Sequence, residues 1–237
     1  MRFVPKSDES VVLLGQPVDE GIDVGAAVRA GKDIQVAVFS GSSVLEAGSK
    51  TDKIETISRI LSPLAQDEVG TIRCIGLNYV QHAKEVKMAI PSIPTLFLKP
   101  DTALADPYPA CSVIPKCTAS EDSCDYESEV AIVIGRGAKN VSVAEAMSYV
   151  LGYTAANDIS ARQSQFAQTQ WCYSKGFDGA CPIGPVIAST ATVPDPSKLR
   201  LRGLKNGRVL QECGVESVVF PPLFLSWRSE MATRLIE

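Results

Sequence analysis

Apolar side chains along this chain come in short runs bounded by glycine, proline or a few polar residues, which points to strands more than to long amphipathic helices. VVLLG (11–15) and DIQVAVFSG (33–41) predict two short strands near the start. Between Asp52 and Leu61 the period changes: Ile54, Ile57 and Leu61 fall on one helical face. Asp52 with Glu55 matches a capping box and Pro63 supplies a stop, so a helix is expected there. Residues 1–66 then read as a small N-terminal α/β domain, with the polar stretch Gln66, Asp67 and Glu68 as the connector to a larger unit over 72–237.

In that second unit short strands alternate with short helices, which predicts a mixed α+β body built on sheet and not a helix bundle. TIRCIGL, TLFLK and EVAIVIG read as strands, the last strongly enriched in β-branched residues. Asn78 with Gln81 predicts the N-cap of a short helix carrying His82 and Glu85. Ser142 with Glu145 predicts the cap of a helix running to about Leu151 and stopped by Gly152, after which YTAAND ends a strand. The proline-rich segment through Pro107, Pro109 and Pro115 reads as an irregular loop, and KGFDGACPIGP as a turn outside regular structure.

The 237 residues carry 23 Lys+Arg against 27 Asp+Glu, and 45% of them are hydrophobic, so the chain is a globular one long enough to bury a core. A net charge of −4 leaves no electrostatic footprint for nucleic acid or an anionic membrane. The longest charge-free stretch, Gly179 to Pro194, is broken by Pro182 and Pro185 and is too short for a spanning helix. Asp8 and Glu9 stand where a signal peptide would need an apolar core, so a cytoplasmic location is expected. Seven cysteines without a C-x-x-C pair indicate reduced thiols rather than a disulfide framework or a zinc knuckle.

Three clusters carry candidate chemistry. In DYESEVAIVIG, Glu127 and Glu129 stand two apart at a strand entrance, hence on one face. Two carboxylates side by side repel unless a cation lies between them, and a hard divalent ion with oxygen ligands suits them; the bland alternative is that both point into water. Asp125 shares their parity and ranks below them. In NDISARQSQ, Asp158 follows an apolar run where a strand would end, placed for a third oxygen ligand or for a turn or helix cap. Lys175 is placed to meet an anionic substrate, or simply to be solvated. His82 is the single histidine, so a reaction that needs a proton shuttle near neutrality has one candidate, with Glu85 three positions on to orient it. No G-x-S-x-G, P-loop or G-x-G-x-x-G is present, which disfavours serine hydrolases, nucleotide triphosphatases and dinucleotide enzymes.

Taken in order, these segments resemble the fumarylacetoacetate hydrolase family. The resemblance runs through GLNYVQHAKE, then Pro91, Pro94, Phe97 and Lys99, then DYESEVAIVIGRGAKNVSVAEAMSYVLGYTAANDISAR. Trp171, Lys175, Phe177 and Asp178 follow, and then PIGPVI, covering about residues 72 to 211. It implies a mixed β-sandwich roll, a homodimer, and a Mg²⁺ or Ca²⁺ site, with Mn²⁺ possible in some members. By position it makes Glu127, Glu129 and Asp158 the metal ligands, His82 with Glu85 the pair that activates water, and Lys175 the active-site lysine. The implied substrates are small 1,3-diketo or 2-oxo acids such as acylpyruvates. Hydrolysis of a carbon–carbon bond, oxaloacetate-type decarboxylation, tautomerisation and a metal-binding remnant without turnover all remain open on that one metal site.

The chain departs from the family where Gln163 follows Arg162 in place of an aspartate, and at its end. After NGRVLQ, the family's further strand and helix, its Thr-Gly-Thr-Pro turn and its closing strands are not matched. The expectation is a catalytic body lacking those strands and ending in an apolar tail of Phe220, Pro221, Pro222, Leu223, Phe224, Leu225 and Trp227.

Overall fold

A computed structural model describes residues 1–219. The tail from Phe220 and the expected loss of closing strands lie outside the described residues. The chain opens with β1 (Arg2–Pro5), β2 (Leu13–Pro17), α1 (Val24–Arg29), β3 (Gln35–Phe39) and β4 (Lys50–Ile60). The four strands close on themselves, each antiparallel to two neighbours, into a small barrel that leaves no free edge. Phe3, Val36, Val38, Ile57 and Ile60 fill it, and α1, capped by the Asp23 side chain on Ala26 N–H at 2.8 Å, adds Val24 and Ala27.

The body follows with β5 (Thr71–Gly76), α2 (Val80–Glu85), β6 (Thr95–Pro100), β7 (Leu104–Ala105), α3 (Lys116–Ala119), β8 (Cys124–Asp125) and β9 (Ser128–Ile134). Then come β10 (Val150–Asn157), β11 (Ser160–Ala161), α4 (Arg162–Ala167), α5 (Cys172–Lys175), β12 (Cys181–Ser189), β13 (Arg200–Lys205) and β14 (Arg208–Gly214). This is the expected mixed α+β class, rich in strand and poor in helix. Its centre is a sheet in the order β7-β12-β10-β9, antiparallel except where β12 meets β7. Leu64, Ile72, Val133 and Ile183 form the core against it. Among the described residues no helix is long and apolar enough to cross a membrane.

Register places the chemistry. Asn157 pairs with Ser128 and Ala156 with Glu129, so the residue after β10, Asp158, arrives beside Glu127 and donates its N–H to the Glu127 carbonyl at 2.9 Å. The ladder resumes beyond that break, with Ser160 opposite Asp125. The helix that follows, α4, has no capping side chain of its own. Its first free N–H groups are taken by Ser123 Oγ on Gln163 N at 3.1 Å and by Glu121 on Ser164 N at 3.2 Å. Gln163, the departure from the family, is a surface residue there.

Four expectations are corrected. Residues 52–61 form no helix; all but Leu61 belong to β4, where Ile57 and Ile60 are buried but Ile54 is 55% exposed. Asp52 and Glu55 form no capping box; Glu55 instead takes Ser7 Oγ at 2.7 Å and pairs with Lys53 at 2.8 Å. β-Branched Thr51, Ile54, Thr56 and Ile57 favour extended backbone, and two barrel strands need this partner, so pairing overrides the helical spacing. At the second predicted helix the Ser142–Glu145 contact does form, Oγ to Oε2 at 2.6 Å, but it leads into one 3-10 turn, Ala146–Tyr149, and then into β10. Gly152 caps nothing: it lies inside β10, where a Cβ would stand 2.3 Å from the Ala188 carbonyl oxygen, so glycine permits the close approach of β12.

The helix carrying His82 exists, but Tyr79 is its N-cap residue, with no side-chain capping bond; the Asn78 carbonyl accepts from Val219 N–H at 2.7 Å. The Gly/Pro stretch is regular from Cys181 on. β12 accommodates Pro185 because its pairing with β10 slips between Tyr153 and Ala155, the irregularity prolines tolerate, and Pro182 is the second residue of the strand, outside its pairing with β10.

Candidate functional site

Lysine stems and carboxylates meet where β10 ends. Lys175, the last residue of α5, is buried at 2%, and its Nζ donates to Glu127 Oε1 at 2.9 Å, Asp158 Oδ2 at 3.0 Å and Ser160 Oγ at 2.7 Å. Three predicted residues are thus brought together by one ammonium. Glu129, one pleat along β9, joins them electrostatically: burial, then the charges of Glu127 and Asp158, push its carboxyl up to about 8, and Tyr79 hydrogen-bonds to it. Glu127 goes the other way. Burial pushes its carboxyl up, but Lys175 and Arg162 outweigh burial and hold it below its ordinary range. Burial raises Asp158 against the pull of Lys99 and Lys175.

His82 and Glu85 sit apart from this cluster. Both line the same cavity, of about 1520 Å³, as Glu127, Asp158 and Lys175. Nδ1 of His82 is 3.8 Å from Glu85 Oε2, an ion-pair distance too long for a hydrogen bond, and the side chains are 57% and 72% exposed. Among the described residues neither bonds to the carboxylates. Trp171 closes part of the wall edge-on to Phe97, ring centroids 5.5 Å apart. It lies so near β5 that a Cβ on Gly76 would stand 2.3 Å from its ring, so glycine is needed there.

Sequence reading passed over the groups that hold the cluster. Lys99 is fully buried. Its Nζ donates to the carbonyls of Lys175, Ala180 (2.8 Å) and Ile159 (3.4 Å) and lies 2.7 Å from Asp158 Oδ1. One ammonium therefore pins the segments that carry Asp158 and Lys175, as a buried charge requires. The signal was available: in β6, Lys99 shares the inward parity of Phe97, where a lysine is out of place unless paired. Arg162 bridges Asp125, Glu127 and Gln165, partners that lie on both sides of it in the chain and that its own segment does not announce. Ser160 and Tyr79 carried no signal beyond their neighbours.

The donor set fits a hard divalent cation. Glu127, Glu129 and Asp158 supply only carboxylate oxygen. Every hydrogen bond reaching the Glu127 side chain among the described residues lands on Oε1, leaving Oε2, whereas both Asp158 oxygens face an ammonium, Oδ1 that of Lys99 at 2.7 Å and Oδ2 that of Lys175 at 3.0 Å. As arranged, Glu127 and Asp158 turn to Lys175, Arg162 and Lys99 and Glu129 to Tyr79 rather than to a common centre, and no ready-made group of three His, Cys, Asp or Glu ligands occurs among the described residues.

Comparisons with known proteins agree on one family. The chain is 47% identical over 184 residues to the caffeoylpyruvate hydrolase of Neonothopanus nambi, covering 75% of this chain and 62% of that protein. It is 33% identical over 176 residues to the mitochondrial oxaloacetate tautomerase of Homo sapiens, covering 73% of this chain and 54% of that one. It thus spans between half and two thirds of the length of each. Among solved structures it resembles the 2-hydroxyhepta-2,4-diene-1,7-dioate isomerase of Mycobacterium marinum, with a TM-score of 0.75 and 30% identity, covering 100% of this chain and 84% of that one. The family model described as fumarylacetoacetate (FAA) hydrolase C-terminal matches residues 71–233, and by that match this chain belongs to the fumarylacetoacetate hydrolase family.

Proposed function

We propose that this chain is a divalent-metal-dependent hydrolase that cleaves a carbon–carbon bond in a small 1,3-diketo or 2-oxo acid of the acylpyruvate type. Glu127, Glu129 and Asp158 would hold the ion, Mg²⁺ or Ca²⁺, with Mn²⁺ as an alternative. The observation that carries this reading is the convergence of those carboxylates with Lys175 on a cavity that His82 and Glu85 also line. Charge balance supports it. With Glu129 protonated, Asp125, Glu127 and Asp158 face Lys99, Lys175 and Arg162, three charges against three. A doubly charged ion that ionises Glu129 adds one net positive charge, the complement of a substrate carboxylate.

Held by Glu127, Glu129 and Asp158, such an ion would supply Lewis acidity toward the oxo-acid oxygens, the chemistry that an electron pair released from a carbon–carbon bond calls for. The protein's own groups do the rest. His82 has Nδ1 toward Glu85, which leaves Nε2 to take a proton from water attacking the ketone carbon. Lys175 has all three N–H bonds on protein oxygens, so a substrate oxyanion gains its help by displacing one of them. The carbon that departs as a carbanion is then protonated by the imidazolium.

A second reading, tautomerisation or decarboxylation of oxaloacetate, is favoured by the likeness to the oxaloacetate tautomerase. It uses the same carboxylates and Lys175 but no water attack. Purified protein assayed with Mg²⁺ or Mn²⁺ on acylpyruvates and oxaloacetate tests both: metal-stimulated acylpyruvate cleavage is expected, and no turnover at demonstrated cation occupancy counts against either. His82→Ala should lower hydrolysis by about a hundredfold or more while sparing any tautomerase or decarboxylase activity. A homodimer in the cytoplasm is part of the same proposal, checked by sedimentation and by localisation of the tagged chain.

A further inference from the structure

Asp125 is the acidic residue of the strand entrance that the cation site leaves over. It sits in β8, opposite Ser160 of β11 and two residues before Glu127, with its side chain 45% exposed. Its Oδ2 accepts two hydrogen bonds from one guanidinium, Arg162 Nε at 2.9 Å and Nη2 at 2.8 Å. The remaining nitrogen, Nη1, reaches Glu127 Oε1 and, at 2.9 Å, Gln165 Oε1. A guanidinium is a rigid plane, so seating Nε and Nη2 on one oxygen fixes the direction of Nη1. The effect is felt at Glu127. Arg162, Lys175 and Ser160 all converge on Oε1, and among the described residues no hydrogen bond is made to Oε2.

We propose that Asp125 is a positioning residue acting through Arg162. It anchors the guanidinium so that Glu127 Oε1 stays saturated by protein donors and Oε2 is kept for a divalent ion at the cavity wall. The inference rests on Glu127 being a cation ligand, as proposed above. Its role differs from that of the two glutamates: it touches neither ion nor substrate, and it shapes the site by fixing a neighbour's direction.

Calorimetric titration of the full chain with Mn²⁺ tests it, using Asp125→Ala and Asp125→Asn. Alanine removes the acceptor and should weaken Mn²⁺ binding roughly tenfold or more. Asparagine keeps an oxygen acceptor without the charge and should stay within about threefold of the parent, with both variants melting within a few degrees of it. Unchanged affinity in the alanine variant overturns the proposal. Equal weakening in both also overturns it, because that is loss of charge alone. If alanine fails to fold, a tenfold loss in asparagine is the overturning result.

A metal-free readout separates this from the cation site itself. The Arg162 Nε–H resonance, assigned by its loss in Arg162→Lys, should exchange slowly in the parent and in Asp125→Asn but be lost in Asp125→Ala. Its persistence in Asp125→Ala overturns the anchoring. A parent chain that binds no Mn²⁺ yet shows this pattern overturns the cation reading and leaves the anchoring supported.

Discussion

Glu129 is the side chain whose environment makes the sharpest demand. Burial and two neighbouring carboxylates push it up to about 8, from 4.5 in a free carboxyl. Because the folded value lies above the unfolded one, the folded state holds a proton the unfolded state has already lost between those values. Its contribution to stability is therefore complete below about pH 4.5 and fades as pH rises toward about 8. A bound divalent ion needs the ionised form, so its stabilisation should grow over the same interval. Metal-free protein is expected to melt several degrees lower at pH 8.5 than at pH 6, and Glu129→Gln to flatten that slope. Added Mg²⁺ or Mn²⁺ should raise the melting temperature more at the higher pH, as read by circular dichroism. Lys175 makes the complementary case. Lys175→Met leaves Glu127 and Asp158 without their shared ammonium and deprives a substrate oxyanion of its donor, so kcat should fall by about a hundredfold or more.

Among the elements, β10 shows most clearly what pairing can do to a local signal. Gly152 sits where β12 passes closest, so Gly152→Ala forces a methyl to within 2.3 Å of the Ala188 carbonyl oxygen. The sheet must shift, and a loss of about 1–3 kcal/mol is expected, measured by urea unfolding. The same residue explains why a helix was predicted there. A serine–glutamate pair followed by a glycine is a helix's punctuation, and the Ser142–Glu145 bond is real. What no local pattern contains is that Val150 faces Ile134 and that Ala188 lies alongside, and those partners come from 16 and 36 residues away. β4 repeats the lesson: Ile54 lies on the outer surface because barrel closure, not spacing, chose its direction. β5 and β9, rich in β-branched residues, and the short apolar run of β6 were legible because their signal and their pairing agree. The candidate site divides likewise. Glu127, Asp158 and Lys175 were legible from strand ends and motif order; the parity of β6 marks Lys99 as inward, but its partners, like those of Asp125, come from segments that register brings alongside.

Across the molecule, the cavity asks for a particular shape of substrate. About 1520 Å³ exceeds what a four-carbon oxo acid fills, since sites for small ligands commonly take roughly 300–1,000 Å³. Glu127, Asp158, Lys175 and Arg162 are among its charged lining groups, with Arg73, Glu85, Glu129 and Glu212, while Phe97, Trp171, Phe166, Ile93 and Leu96 supply apolar wall. A substrate with an oxo-acid head and an extended apolar acyl arm satisfies both parts. Oxaloacetate satisfies one, and carries a second carboxylate that would have no apolar surface to displace water from. Each buried methylene contributes about 0.8 kcal/mol, close to fourfold in an association constant, provided the arm lies against that wall in the transition state. Along a series from acetylpyruvate to longer acyl and aroyl pyruvates, kcat/KM should therefore climb by about tenfold or more. Trp171→Ala should erase most of the climb while leaving acetylpyruvate nearly unaffected, because the short substrate never reaches the indole. A flat series would place the arm outside the cavity, and a fall with length would mean that the wall is closed to it.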